Sequence, residues 1–211
     1  QVNAQYDVID FEPAGYGNGF SWTNFDMGSG TGLSVASNSV SGGINTSATV
    51  AEVGLTTDGQ PWAGSWTADI DDFEFDATNS TLTLKIYKTL VSPIEFKFEP
   101  ASGGSPAVSK TVSNTLINQW ETITFDFSSA EGDGNTYGRL VIITDFDVSF
   151  IGTGSGRASN HTVYLDDINV PTANVVPPGT SDITFVVDMN DYVAGGGSTA
   201  NGVFVNGTFN V

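Results

Sequence analysis

The stretch Ile94-Glu95-Phe96-Lys97-Phe98-Glu99 alternates apolar and charged residues without a break. Successive side chains of a β-strand point to opposite faces, so Ile94, Phe96 and Phe98 share a core face and Glu95, Lys97 and Glu99 a wet one. Two other stretches repeat the pattern. Leu82, Leu84 and Ile86 alternate with Thr83, Lys85 and Tyr87, and Ile123, Phe125 and Phe127 alternate with Thr122, Thr124 and Asp126. Strands apolar on one side only belong to antiparallel sheets with one solvated face.

Working outward, short β-branched and aromatic runs recur between clusters of Gly, Asn, Ser and Asp, and helical periodicity is nearly absent. Strands are expected near residues 6–12, 33–36, 47–55, 64–70, 80–88, 93–99, 107–113, 119–127, 138–147 and 161–170. That number at that spacing predicts an all-β fold, an antiparallel β-sandwich of jelly-roll type. This first unit occupies residues 1–170. Residues 171–182, with Pro177-Pro178, read as an extended linker. Residues 183–211 read as the incomplete start of a second β-sandwich domain, since two strands do not make a stable domain alone.

Composition narrows the function. Lys and Arg total 6 against 24 Asp and Glu, a formal net charge of -18. Such a surface repels phosphate backbones and anionic membranes, so no nucleic acid is expected as a partner. No apolar run approaches the ~20 residues that cross a bilayer, so no direct membrane insertion by this segment is expected. There are 0 Cys, which removes disulfides and thiolate metal sites. Four Asn-X-Ser/Thr triplets, at Asn45, Asn79, Asn160 and Asn206, read as part of an Asn- and Thr-rich composition.

The order Asp10-Phe-Glu12, Gly43-Ile-Asn-Thr-Ser47, Trp62-Ala-Gly-Ser-Trp66, Phe96-Lys-Phe-Glu99, Trp120-Glu-Thr-Ile-Thr-Phe-Asp-Phe127 and Tyr164-Leu-Asp-Asp-Ile168 resembles a jelly-roll carbohydrate-binding module. It is similar to carbohydrate-binding module family 4 and to related calcium-containing sandwiches of marine polysaccharide-degrading bacteria. The tail, with Phe185-Val-Val-Asp-Met and Val203-Phe-Val-Asn-Gly-Thr-Phe-Asn210, resembles the opening strands of an immunoglobulin-like starch-binding type domain. The resemblance implies a secreted or outer-cell-surface protein with further domains. It also implies non-catalytic binding of a polysaccharide, first a β-1,3-glucan of the laminarin type. An anionic algal polysaccharide such as alginate, and a structural or adhesion spacer with no ligand, are the alternatives.

The first strand carries Asp10 and Glu12, and the last carries Asp166 and Asp167. First and last strands commonly lie side by side in a jelly roll, and hard carboxylate oxygens suit Ca²⁺. In the family resembled, a structural Ca²⁺ sits at this junction, and Glu12 and Asp166 are its best matches here. The plainer alternative is a strand-end cap in an acidic chain.

A glycan surface needs flat aromatics for sugar C–H faces and polar groups for hydroxyls, on a rigid sheet. The candidates are Trp62, Trp66, Lys85, Tyr87, Lys97, Glu99, Trp22 and Arg139. Their grouping assumes that the strands bearing Lys85 and Tyr87 neighbour those bearing Lys97 and Glu99. A solvated face with Lys–Glu pairs across strands is the alternative. Trp120, at a strand start, reads more as a plug of the sandwich end.

Catalysis is not expected. Asp126, Asp145 and Asp147 show no pocket pattern, and the lone His161 has no Cys partner or nucleophile-elbow context. It reads as a surface residue.

Overall fold

In a computed structural model of the chain, residues 6–146 and 157–172 are described. They form twelve strands: β1 (Tyr6–Ile9), β2 (Thr23–Phe25), β3 (Gly32–Ser37), β4 (Thr49–Leu55), β5 (Gly64–Thr67), β6 (Thr81–Tyr87), β7 (Pro93–Glu99), β8 (Val108–Ser113), β9 (Trp120–Asp126), β10 (Arg139–Ile143), β11 (His161–Asp166) and β12 (Ile168–Pro171). A short 3₁₀ turn at Ser128–Ala130 follows β9. Two antiparallel five-stranded sheets result. The first has the order β2-β5-β10-β7-β8, the second β3-β4-β11-β6-β9, and β1 pairs with β12 as a separate ribbon. This is the all-β antiparallel sandwich expected from the alternating pattern.

Both sheets feed one core. Phe96, Phe98, Leu140 and Ile142 come from the first sheet, Leu82, Leu84, Ile86, Phe125, Val163 and Leu165 from the second, and Ile9, Ile168 and Val170 from the ribbon. The rings of Phe96 and Phe125 lie 5.0 Å apart, and Phe75 stacks on Phe127 at 5.0 Å with only 8° between planes. Such pairs add about 0.5–1.5 kcal/mol beyond their buried area.

The differences from the expected strands have backbone causes. Residues 161–170 were expected as one strand, but Asp167 has φ 44°, and this left-handed residue splits it into β11 and β12. Phe11 at φ 55° likewise lies beyond the end of β1 at Ile9. The three-residue β2 is too short to show a period. Adjacent first and last strands do occur, because β1 runs antiparallel to β12 from Tyr6↔Pro171 to Ile9↔Ile168. Pro171 therefore belongs to a strand rather than to the expected linker. The rest of that linker and the expected second β unit lie outside the described residues.

β6 and β7 are consecutive but belong to different sheets. The crossing at 88–92 is pinned by buried Lys88, whose ammonium donates to Ser92 O at 3.2 Å, to Ser92 Oγ and to Thr144 O at 2.7 Å. Burial pushes the Lys88 pKa down to about 8. Asn114 completes the pin, accepting from Ser92 N and donating to Leu90 O and Leu116 O.

Phe98 is fully buried and touches the rings of Phe73, Phe75, Phe96 and Phe127. Phe98→Ala is expected to cost about 3–5 kcal/mol, the range for emptying a phenyl-sized core site. It should lower the denaturant midpoint while leaving the slope unchanged.

Candidate functional site

The wet face of β7 and its neighbours forms a groove of about 410 Å³. That lies within the ~300–1,000 Å³ of small-ligand sites. Register builds it row by row. In one row Val141 of β10 lies between Trp66 of β5 and Lys97 of β7. In the next, Arg139 pairs with Glu99, and Ile143 pairs with Glu95 further along. Trp62, Phe25 and Phe146 close the end nearest Ile143.

Local structure fixes each wall. The Trp62 indole donates to Asp26 Oδ2 at 2.9 Å, and Asp26 O accepts from Gln60 N at 2.9 Å, so one residue orients both the ring and its loop. Gly64 lets Phe25 and Ile143 meet over it, since a Cβ there would lie 2.8 Å from Phe25 Cζ and from Ile143 Cγ1. At the other end the 100–104 turn holds the charged residues. Arg139 donates to Ala101 O at 3.0 Å, and Gly104 N donates to Glu99 Oε2 at 3.1 Å.

The charges are matched within the groove. Lys97 meets Glu99 at 2.5 Å, Arg139 approaches Glu99 at 3.8 Å, and Arg139 lies 4.0 Å from the Trp66 ring centroid. One face of Trp66 is thus covered by a guanidinium in a cation–π contact. Partial burial opposes ionisation of Glu99. Hydrogen bonds from Lys97 and Gly104, with the charges of Lys97 and Arg139, outweigh it and hold the carboxyl below its ordinary value.

Five expected residues, Trp62, Trp66, Lys97, Glu99 and Arg139, line this groove. Three do not. Lys85 and Tyr87 are on β6, in the second sheet, because the chain changes sheet between β6 and β7. There Lys85 pairs with Asp167 at 2.5 Å, and Tyr87 packs between Trp120 and Tyr164 at ring separations of 5.9 and 6.0 Å. Trp22 leans on the core, 6.4 Å from Phe11, since the loop before β2 folds inward. Trp120 is 6% exposed and donates to Val40 O, so it closes one end of the second sheet's outer face.

The groove adds Phe25, Glu95, Val141, Ile143 and Phe146 to the expected set. Glu95 shares its register with Lys97 and Glu99. The unbroken apolar run Leu140-Val-Ile-Ile143 marks a central strand covered on both faces. Phe25 carries no periodic signal.

The four expected metal-site carboxylates do not converge as a set. Among the described residues there is no group of three or more acidic or histidine side chains that could hold a metal ion. Asp10 accepts from Glu12 N at 3.1 Å, and Asp167 is paired with Lys85. Glu12 and Asp166, however, reach the same segment. Glu12 accepts from Ala48 N at 2.7 Å and Thr49 N at 3.1 Å, and Asp166 accepts from Asn45 Nδ2 at 2.8 Å. Asp166 is fully buried. Burial raises its pKa, against hydrogen bonds from Ser47, Asn45 and the Asp167 amide, and the Asp167 charge adds to the rise. Asp166 is thus a buried carboxylate met by side-chain and backbone donors, with Lys85 opposite it across the β6–β11 ladder.

Two of the four Asn-X-Ser/Thr triplets are closed to modification. Asn45 and Asn79 are 0% and 3% exposed, and both amides are engaged. Asn160 is exposed, and Asn206 lies outside the described residues.

No protein-family model matches the chain, and no curated protein matches it. Solved structures do. A tandem of two family 22 carbohydrate-binding modules from Paenibacillus barcinonensis Xyn10C is 17% identical over 80% of this chain, with a TM-score of 0.51. This chain spans 49% of that tandem, about half its length. A family 29 carbohydrate-binding module variant complexed with mannohexaose is 14% identical over 82% of this chain and 94% of its own, with a TM-score of 0.47. A family 11 module from Clostridium thermocellum in complex with a β-1,3-1,4-mixed-linked tetrasaccharide is 14% identical over 80% of this chain and 96% of its own, with a TM-score of 0.46. At this identity the likeness to the tandem concerns the sandwich fold.

Because the Glu99 pKa is lower folded than unfolded, its charged contacts contribute fully above the unfolded value of 4.5 and are lost as pH falls through the lower folded value. A carboxyl-detected NMR titration should place the Glu99 midpoint below 4.5, and Lys97→Met should move it upward. An unmoved midpoint would contradict this account of the charges.

Proposed function

We propose that this chain is a non-catalytic glycan-binding module that holds a neutral polysaccharide in the groove of the first sheet, with a β-1,3-glucan of the laminarin type as the leading ligand. The observation carrying this reading is the groove itself. An indole fixed by Asp26 stands at an apolar end with Phe25, Ile143 and Phe146, and a ring of paired charges stands at the other end. Sugars need both, a C–H face against an aromatic and hydroxyls against planar polar groups.

Charge decides between ligand classes. Lys97 and Arg139 are matched by Glu95 and Glu99 in the same lining, on a chain of net charge -18. A polyanion such as alginate would meet no surplus of positive charge there. The same reading would put the protein outside the cell, as part of a secreted glycan-degrading enzyme or a surface glycan-binding protein with further domains. A structural Ca²⁺ held by Glu12 and Asp166 would neutralise the buried carboxylate and clip the end of β1 to the 45–49 segment.

Calorimetric titration with laminarin oligosaccharides tests the main reading. Trp62→Ala is expected to weaken binding at least tenfold, a loss of about 1.4 kcal/mol or more. Tyr87→Ala, on the other sheet, should leave it unchanged. Affinity should hold up to roughly 1 M salt, where surface ion pairing is screened within ~3 Å. A chain that binds none of a neutral and anionic glycan panel would be a spacer instead. For the cation, a chelator is expected to lower the melting temperature without altering the room-temperature circular dichroism, and an unchanged melt rejects it.

A further inference from the structure

The groove offers a ligand less than its lining suggests. Of its two tryptophans, Trp66 has the Arg139 guanidinium 4.0 Å from its ring centroid, so one of its faces is taken. The Trp62 ring is half-buried and tethered through its indole nitrogen to Asp26, and among the described residues no cation or second ring lies against it. Of its two glutamates, Glu99 is occupied. Lys97 and the Gly104 amide reach it, and Arg139 stands 3.8 Å away.

Glu95 differs. It shares the wet face of β7 with Lys97 and Glu99 and is half-buried. Lys97 lies between the two glutamates in sequence and pairs with Glu99. Among the described residues no hydrogen bond or ion pair engages the Glu95 carboxylate. Its ladder partners are Ile143 and Thr111. The open ring and the open carboxylate therefore lie at the same end of the groove, the one closed by Phe25, Trp62 and Phe146.

A carboxylate only accepts, and its two oxygens sit side by side. They suit two parallel donors, as in the fork of a guanidinium. On a sugar the matching pair is two hydroxyls on adjacent ring carbons. Linkage decides which units carry that pair. An interior unit of a β-1,3-glucan is joined through positions 1 and 3, so its free hydroxyls at 2, 4 and 6 are never neighbours. The non-reducing terminal unit keeps 2, 3 and 4 free together. In a β-1,4-glucan every interior unit keeps 2 and 3.

We propose that Glu95 determines the specificity of the groove, which reads a sugar unit bearing two adjacent free hydroxyls and so takes a β-1,3-glucan by its non-reducing chain end. This rests on the glycan-binding reading of the groove. The C–H face of the terminal unit lies on the Trp62 indole, and Glu95 accepts from both hydroxyls. The following units run past Val141 toward Lys97 and Glu99.

Periodate cleaves the bond between carbons that carry adjacent free hydroxyls. One probe is a linear β-1,3-linked gluco-oligosaccharide blocked at its reducing end as the methyl glycoside. The second is the same compound after periodate oxidation and borohydride reduction, which opens its non-reducing unit alone. Calorimetry on the intact chain is expected to show binding of the first and a loss of about tenfold or more for the second, the worth of hydrogen bonds to a charged group. Glu95→Gln keeps the side chain's size but only one acceptor oxygen. It should weaken the first probe by a similar factor and leave the melting temperature unchanged. Equal affinity for the two probes overturns the proposal and leaves the glycan-binding reading standing, and so does unchanged affinity in Glu95→Gln. A β-1,4-linked counterpart completes the set. If it alone binds, and Glu95→Gln weakens it, the hydroxyl-pair rule holds and the laminarin-type ligand falls. If neither linkage binds, both readings fall.

Discussion

The contact between Phe96 and Phe125 spans the gap between the two sheets, and the rest of the molecule is arranged to keep it closed. A sheet with one apolar face must cover that face with another element. Here the cover is a second sheet drawn from the same chain, so the chain has to pass from one layer to the other. It does so at 88–92, where a lysine is buried to satisfy carbonyls of the crossing itself and of Thr144. An unpaired carbonyl there would be costly to bury, and an ammonium with three donors is a compact way to pair several.

That crossing decides which wet residues become neighbours. It separates Tyr87 from Lys97, only ten positions apart, and brings Trp62, Trp66 and Arg139 beside Lys97 and Glu99. The groove is a product of register on a rigid layer. Its backbone atoms are paired in the ladder, so its side chains start from fixed points. Its charges neutralise one another locally, which leaves hydroxyl-sized hydrogen bonding as the chemistry on offer.

Much of the fold was legible because the period of two is a direct consequence of strand geometry. Strands with clean alternation, such as β6, β7 and β9, lie where the pattern put them. What alternation reports is inside or outside, never which layer, and so Lys85 and Tyr87 were grouped with the wrong partners. Single left-handed residues at Phe11 and Asp167 leave no trace in composition, yet they end or divide strands. The burial of the His161 side chain is hidden from the sequence for a related reason. Burial at a sandwich end is set by loops far apart in sequence, here those around Pro61, Leu90 and Arg157.

The turn at 100–104 reaches further than its size suggests. Gly103 has φ 82°, and a Cβ there would stand 2.2 Å from Arg139 Nη1. Any larger residue must displace the guanidinium, and with it the cover over Trp66. A single position outside the groove therefore governs whether its floor at that point is a cation or a bare indole. A substitution at this one position can recast that part of the surface while every strand stays in place.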